Sequence, residues 1–282
     1  MSLPIARRMW TMFEPLHDVT YFTPEAREHF EAAGLRGFWR GYFAGRCAPL
    51  GPVDAAPVIA SFFNFAPATV RRALPDVWSR ATPEAALKAR QAGAVAALAR
   101  LLDGQPVEEA ADLLARAASH AHTAGRVLAA ANQALPVPDE PLAKLWHAAT
   151  VLREHRGDGH VAALVAWELD GCDALAWRTS MDLSREVLQP ARGWTDEEWE
   201  EAVLRLKTRG WLDIEGRATA LASEAHRDIE AVTDRAAQRP WDELGTEATQ
   251  RLITVLKPLA QAAYRDIPNY NPIGLPSPDL ND

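Results

Sequence analysis

Between Trp146 and Gly171 the chain reads WHAATVLREHRGDGHVAALVAWELDG. A helix-spaced apolar run reaches Leu152, gives way to Arg153, Glu154, His155, Arg156, Asp158 and His160, and then resumes. Nowhere else does the sequence set so many ionisable groups between two apolar runs. Buried charges cost several kcal/mol (order of magnitude) unless they are paired, so the surrounding fold must supply partners. Gly157 and Gly159 offer the backbone a place to turn. The expectation is therefore a helix ending near residue 154, a loop at the glycines, and a new helix over 161–169.

The rest of the chain is punctuated for helices. Thr23-Pro24-Glu25 and Thr82-Pro83-Glu84 each place a capping threonine before a proline at the first helical position. Helices are expected over 6–13, 24–33, 37–48, 55–63, 67–74 and 82–102. Pro15 closes the first, and the following Val19, Tyr21 and Phe22 lean towards extended structure. A single helix is expected over 107–135. The PVPDEP segment before Leu142 is a rigid connector, because its prolines exclude a continuous helix.

Beyond the charged stretch, a helix over 172–179 precedes a turn at 190–193. Thr195 caps the next helix, Asp196–Thr208, with Glu198 completing a capping box. Residues 211–220, with Glu215-Gly216 at the centre, are expected to form a β-hairpin, followed by helices over 222–238 and Thr246–Tyr264. Helix, helix, turn, helix, wing and helix is the order of a winged helix-turn-helix. The phrase EEAVLRLKTRGWLDIEGRATALASEAHRDIEAVTD resembles the corresponding stretch of MarR-like regulators, with the resemblance covering roughly residues 159–244. Nearly the whole chain also resembles an actinobacterial family with a helical N-terminal half and a MarR-like, degenerate winged-helix C-terminal half. The segments that carry this are EPLHDVTYFTPEA, GFWRGYFAGRCAPLGPV, AGRVLAAAN, LREHRGDGHVAAL and NPIGL.

The expected fold is mainly α, a helical N-terminal domain plus a winged helix-turn-helix-like domain with a short two-stranded wing. The domains are 1–141, then the junction and helix-turn-helix unit at 142–245, then a C-terminal helix and tail at 246–282. The MarR-like resemblance implies DNA binding through Asp196–Thr208. Charge opposes it, since Asp196, Glu197, Glu198, Glu200 and Glu201 face only Arg205 and Lys207, and the chain carries a net charge of −8. The N-terminal end of a recognition helix meets phosphates and base edges, where carboxylates repel. MarR-like units pair through their terminal helices, so residues 222–238 and 246–264 are expected either to form a homodimer interface or to pack within the chain.

Cys47 and Cys172 lie far apart without CxxC spacing, which points to reduced thiols and a cytoplasmic setting. Apolar runs stop well short of the roughly 20 residues a membrane span requires.

His155 and His160 stand five apart, whereas a helix binds metal through i, i+4 pairs. Glu14, His17, His120 and His122 add ligands only if folding gathers them, so no metal and no cofactor is assigned. Trp39, Tyr42 and Phe43 alternate with Arg36, Arg40 and Arg46, which suits either core packing or a cavity for a planar or anionic ligand. The expected ligand-binding set is His17, Trp39, Tyr42, Phe43, Arg46, Arg153, His155, Asp158 and His160, around a pocket between the two halves. The charged stretch equally serves as a purely structural ion-pair network. The leading expectation is a small-molecule sensor on a MarR-like scaffold. A DNA-binding regulator and a cofactor-independent or metal-assisted enzyme at His155–His160 are the alternatives.

Overall fold

The computed structural model describes residues 3–278. Helices α1 (Ile5–Phe22), α2 (Pro24–Ala32), α3 (Phe38–Cys47), α4 (Ala55–Phe62) and α5 (Pro67–Ala73) open the chain. They are followed by α6 (Pro83–Leu102), α7 (Glu108–Ser119), α8 (Val127–Gln133) and α9 (Pro141–Ala166). The remainder is α10 (Gly171–Arg178), α11 (Arg185–Arg192), α12 (Asp196–Thr208), α13 (Ala220–Ala236), α14 (Arg239–Leu244) and α15 (Thr246–Tyr264). Among the described residues no helix is long and apolar enough to cross a membrane.

Three apolar cores form. The first joins Met9, Phe13 and Leu16 of α1 to Leu98, Leu114, Trp146 and Leu152, and to Leu252, Leu256 and Leu259 of α15. The second gathers Phe30, Phe43, Val58, Phe62 and Val70. The third contains Leu164, Trp177, Leu188, Trp199, Leu206, Trp211 and Ile229, so it joins the end of α9 to α10–α13. Thus α9 enters two cores, and the apolar face of α15 is spent inside its own chain.

The charged stretch does not loop. It lies within α9, which runs unbroken through Gly157 and Gly159, so the separate helix expected at 161–169 is the end of α9. Glycine in a helix interior costs about 1 kcal/mol relative to alanine. That is small beside the burial of a helix enclosed along much of its length. Gly159 instead permits close approach, since a Cβ there would lie 3.5 Å from both Ala236 and Arg126.

Other sequence expectations are corrected in the same way. α1 continues through Pro15 to Phe22, because burial from Ala6 to Thr20 outweighs the lost helix hydrogen bond and the extended leaning of Val19, Tyr21 and Phe22. The helix expected over 107–135 divides into α7 and α8. Asp158 of α9 accepts from the backbone N–H of Leu128 at 2.9 Å and Ala129 at 3.0 Å, so a distant carboxylate starts α8. α11 runs on through Pro190 and ends at Gly193, whose φ is 77°.

The two-stranded wing does not form. Among the described residues, Leu212 and Ala218 make one isolated antiparallel bridge, and Ile214 at the tip is 85% exposed. The Arg217 N–H and the Asp213 carbonyl, which would continue the ladder, are taken by Asp213 Oδ1 at 2.9 Å and by the Gly216 N–H at 3.0 Å.

Close contacts join the segment 171–194 to the segment 63–69. The carbonyl of Arg192 accepts from Ala66 N–H at 3.0 Å, and Trp194 Nε1 donates to the Asn64 carbonyl at 2.9 Å. A Cβ at Gly171 would lie 2.0 Å from the Phe63 carbonyl oxygen, and one at Gly193 would lie 1.9 Å from Thr69 Oγ1. Only glycine permits these approaches.

Candidate functional site: an arginine-lined cleft

The polar interior is built on Glu154. It receives Arg46 through Nε at 2.9 Å and Nη2 at 3.0 Å, and Arg153 Nη1 at 2.9 Å. Arg153 Nε donates to Glu14 at 3.2 Å, and Glu14 also accepts from Trp10 Nε1 at 2.9 Å. Burial pushes the Glu154 carboxyl up, but Arg153 and Arg46 outweigh it and hold it well below the usual carboxylate range. A bidentate guanidinium is the geometry that makes such a buried pair tolerable.

Beside this network lies a cavity of about 200 Å³, lined by Arg46, Arg153, Arg156, Arg178 and Arg192 against Phe62, Phe65 and Leu188. It adjoins a groove of about 540 Å³ with which it shares Trp10, Asn64, His160, Arg178 and Glu230. Four of the arginines have carboxylate partners. Arg46 and Arg153 hold Glu154, Arg156 Nη2 reaches Asp234 at 3.2 Å, and Arg178 Nε reaches Asp182 at 2.8 Å.

Arg192 differs. Among the described residues its guanidinium donates only to the carbonyls of Ala191 at 3.5 Å and Pro272 at 3.0 Å, and its buried Nε has no hydrogen-bond partner. It lies over the Phe65 ring at 4.8 Å. Burial pushes its pKa down; Tyr42 opposes that, while Arg46 and Arg153 add to the fall. Among the described residues, then, the cleft carries a cation that no carboxylate answers.

Tyr42, Arg46, Arg153, Asp158 and His160 of the expected set line this cavity. Tyr42 OH accepts from Arg46 Nη1 at 3.2 Å, while Asp158 is spent on α8. His160 Nδ1 lies 3.0 Å from Thr233 Oγ1, and burial pushes its pKa down to about 4.

His17, Trp39, Phe43 and His155 lie elsewhere. Thr150 donates its hydroxyl proton to the Trp146 carbonyl, so it accepts from His17 Nδ1, leaving His17 Nε2 to accept from Tyr21 OH at 2.9 Å. Phe43 is sealed in the second core, and half-exposed Trp39 packs on Phe38 and Phe65. His155 Nε2 accepts from Arg126 Nη1 at 2.6 Å, which requires a neutral ring. Burial first, and then Arg126, pushes its pKa down to about 3. His155 and His160 therefore serve different contacts, and His160 alone of the two lines the cleft. Among the described residues no His, Cys, Asp and Glu group has the geometry of a metal site.

Sequence reasoning left out Arg178, Arg192 and Glu230, and did not give Arg156 a place in the pocket. A lone arginine at the end of a short helix carries no local signal. The signal available was the glycine after Arg192 together with the NPIGL tail, whose Pro272 and Ile273 reach the same cavity.

Compared with known families, residues 6–267 match a helix-turn-helix family, and the chain belongs to it. No curated protein and no solved structure matches the chain.

Proposed function

We propose that this helix-turn-helix family protein binds a small organic or inorganic anion in the arginine-lined cleft, as a sensor whose helix-turn-helix unit forms one wall. The observation that carries the reading is Arg192, a half-buried cation in the cavity wall with only carbonyl acceptors among the described residues. A partly desolvated charge without a counter-charge is unfavourable, and an anionic ligand supplies one. Buried Arg90 also lacks a carboxylate, but it is enclosed by the Gly45 carbonyl and Asn132 in the core. The reading keeps a helical half at 1–141, a MarR-like unit at 142–245 and a C-terminal helix and tail at 246–282, with Tyr42, Arg46, Arg153 and His160 among the ligand's neighbours. Trp10 lines both cavity and groove, so tryptophan fluorescence reports occupancy. Titration with inorganic phosphate and with benzoate is expected to give saturable quenching by at least one. A flat response to both, with no thermal stabilisation, contradicts the reading.

Membership of a helix-turn-helix family favours a second reading, a DNA-binding regulator. Asp196, Glu197, Glu200 and Glu201 occupy exposed positions on α12, and Arg205 is paired with Asp170 and Asp173. Any DNA contact would therefore use another surface. A gel shift with the gene's own upstream region, weakening steeply with salt, supports this reading, and absence of a shift at low salt removes it.

A further inference from the structure

Pro272 and Ile273 line the cavity, and Gly274 and Pro276 line the adjoining groove. This segment meets the cleft's cations with backbone. Arg192 Nη2 donates to the Pro272 carbonyl at 3.0 Å, and a Cβ on Gly274 would lie 2.7 Å from Arg178 Nη2. The segment is also a preformed unit. Buried Asn271 donates through Nδ2 to the Pro268 carbonyl at 2.8 Å, and its Oδ1 accepts from the N–H groups of Ile273 at 3.0 Å and Gly274 at 2.9 Å. Tyr264 OH donates to the Leu275 carbonyl at 3.2 Å, tying the segment back to α15.

A neutral carbonyl is a weak partner for a half-buried guanidinium. An oxyanion adds the attraction of a full opposite charge and can engage the guanidinium fork with two parallel hydrogen bonds. Resting on the anion-binding reading above, we infer that residues 271–276 are an internal competitor for the ligand. The oxyanion takes the place of the Pro272 carbonyl on Arg192, and displacement of the segment is the structural output of binding. Carboxylate and phosphate share this chemistry, and the two probes separate them.

The experiment combines calorimetric titration of inorganic phosphate and of benzoate with hydrogen–deuterium exchange, on the full chain and on Asn271→Ala and Tyr264→Phe. Each variant removes an anchor of the segment and leaves the arginines in place. Tyr264→Phe deletes one hydroxyl and keeps the result readable should Asn271→Ala fold poorly. The probe that binds is expected to speed exchange at the Ile273 and Gly274 amides. Tyr264→Phe, which removes one anchoring hydrogen bond, is expected to bind it roughly three- to tenfold tighter, and Asn271→Ala, which removes more than one, at least as tightly as Tyr264→Phe. Binding by the variants alone also supports competition. Binding with unchanged exchange, or with affinity unaltered or weakened in the variants, overturns the competitor role and leaves the cleft reading standing. No binding by the parent or by either variant overturns both.

Discussion

Asp18 lies fully buried on α1, and among the described residues neither of its carboxylate oxygens has a hydrogen-bond partner. Burial, and then the charge of Glu14, holds its pKa well above the usual value, so folding favours its protonated form. A folded-state pKa above the unfolded one contributes stability at low pH that is lost as pH rises through the folded value. Asp18→Asn, which does not titrate, is therefore expected to be more stable than the parent at pH 7, with the gap narrowing towards pH 4. Urea denaturation at the two pH values measures this, and a gap independent of pH contradicts it. Nothing in the local sequence marked Asp18, because its burial follows from α1 continuing past Pro15. The pairing of Arg153 with Glu154 was legible, since adjacent opposite charges in an apolar setting must find partners. Arg46 as the second partner of Glu154 was not, because 108 residues separate them.

At the scale of elements, local signals were reliable where the cap and the helix are neighbours. Thr23, Thr82 and Thr195 each accept the capping hydrogen bond expected of them, and Thr195 with Glu198 forms the full box. They failed where a distant element decides, as when Asp158 starts α8. The glycines of α9 misled for the same reason, since propensity is weak beside tertiary burial. Gly157 tests this directly. A Cβ there would meet nothing closer than 3.9 Å, so Gly157→Ala is expected to raise stability by about 0.5–1 kcal/mol. A thermal melt showing clear destabilisation would contradict a continuous helix. Gly171→Ala is expected to do the opposite. Its methyl group would collide with the Phe63 carbonyl, and overpacking of this kind costs about 1–3 kcal/mol or more, seen as a lower denaturation midpoint.

Over the whole molecule, α9 ties the first core to the third, and its middle carries the charges that face the cleft. The mainly helical fold and the helix-turn-helix order were legible from caps, breakers and spacing. The cleft was legible only in part. Tyr42, Arg46, Arg153 and His160 were found because they cluster in sequence or flank the charged stretch. Arg178 and Arg192 reach it from α10 and α11, which pack through glycine-permitted contacts at Gly171 and Gly193, and Glu230 and the tail reach it from far along the chain, which no local pattern announces. Arg192 carries the central claim, and Arg192→Met separates an anion receptor from a structural ion pair. Removing a half-buried cation that no carboxylate answers among the described residues is expected to leave thermal stability unchanged or raised, whereas breaking a buried pair costs about 3–5 kcal/mol. Calorimetric titration with the anion that binds the parent is expected to show affinity reduced by roughly tenfold or more in Arg192→Met, the loss of one charge-assisted contact. Equal affinity in parent and variant, or a variant that unfolds as if a pair had been broken, would contradict the account.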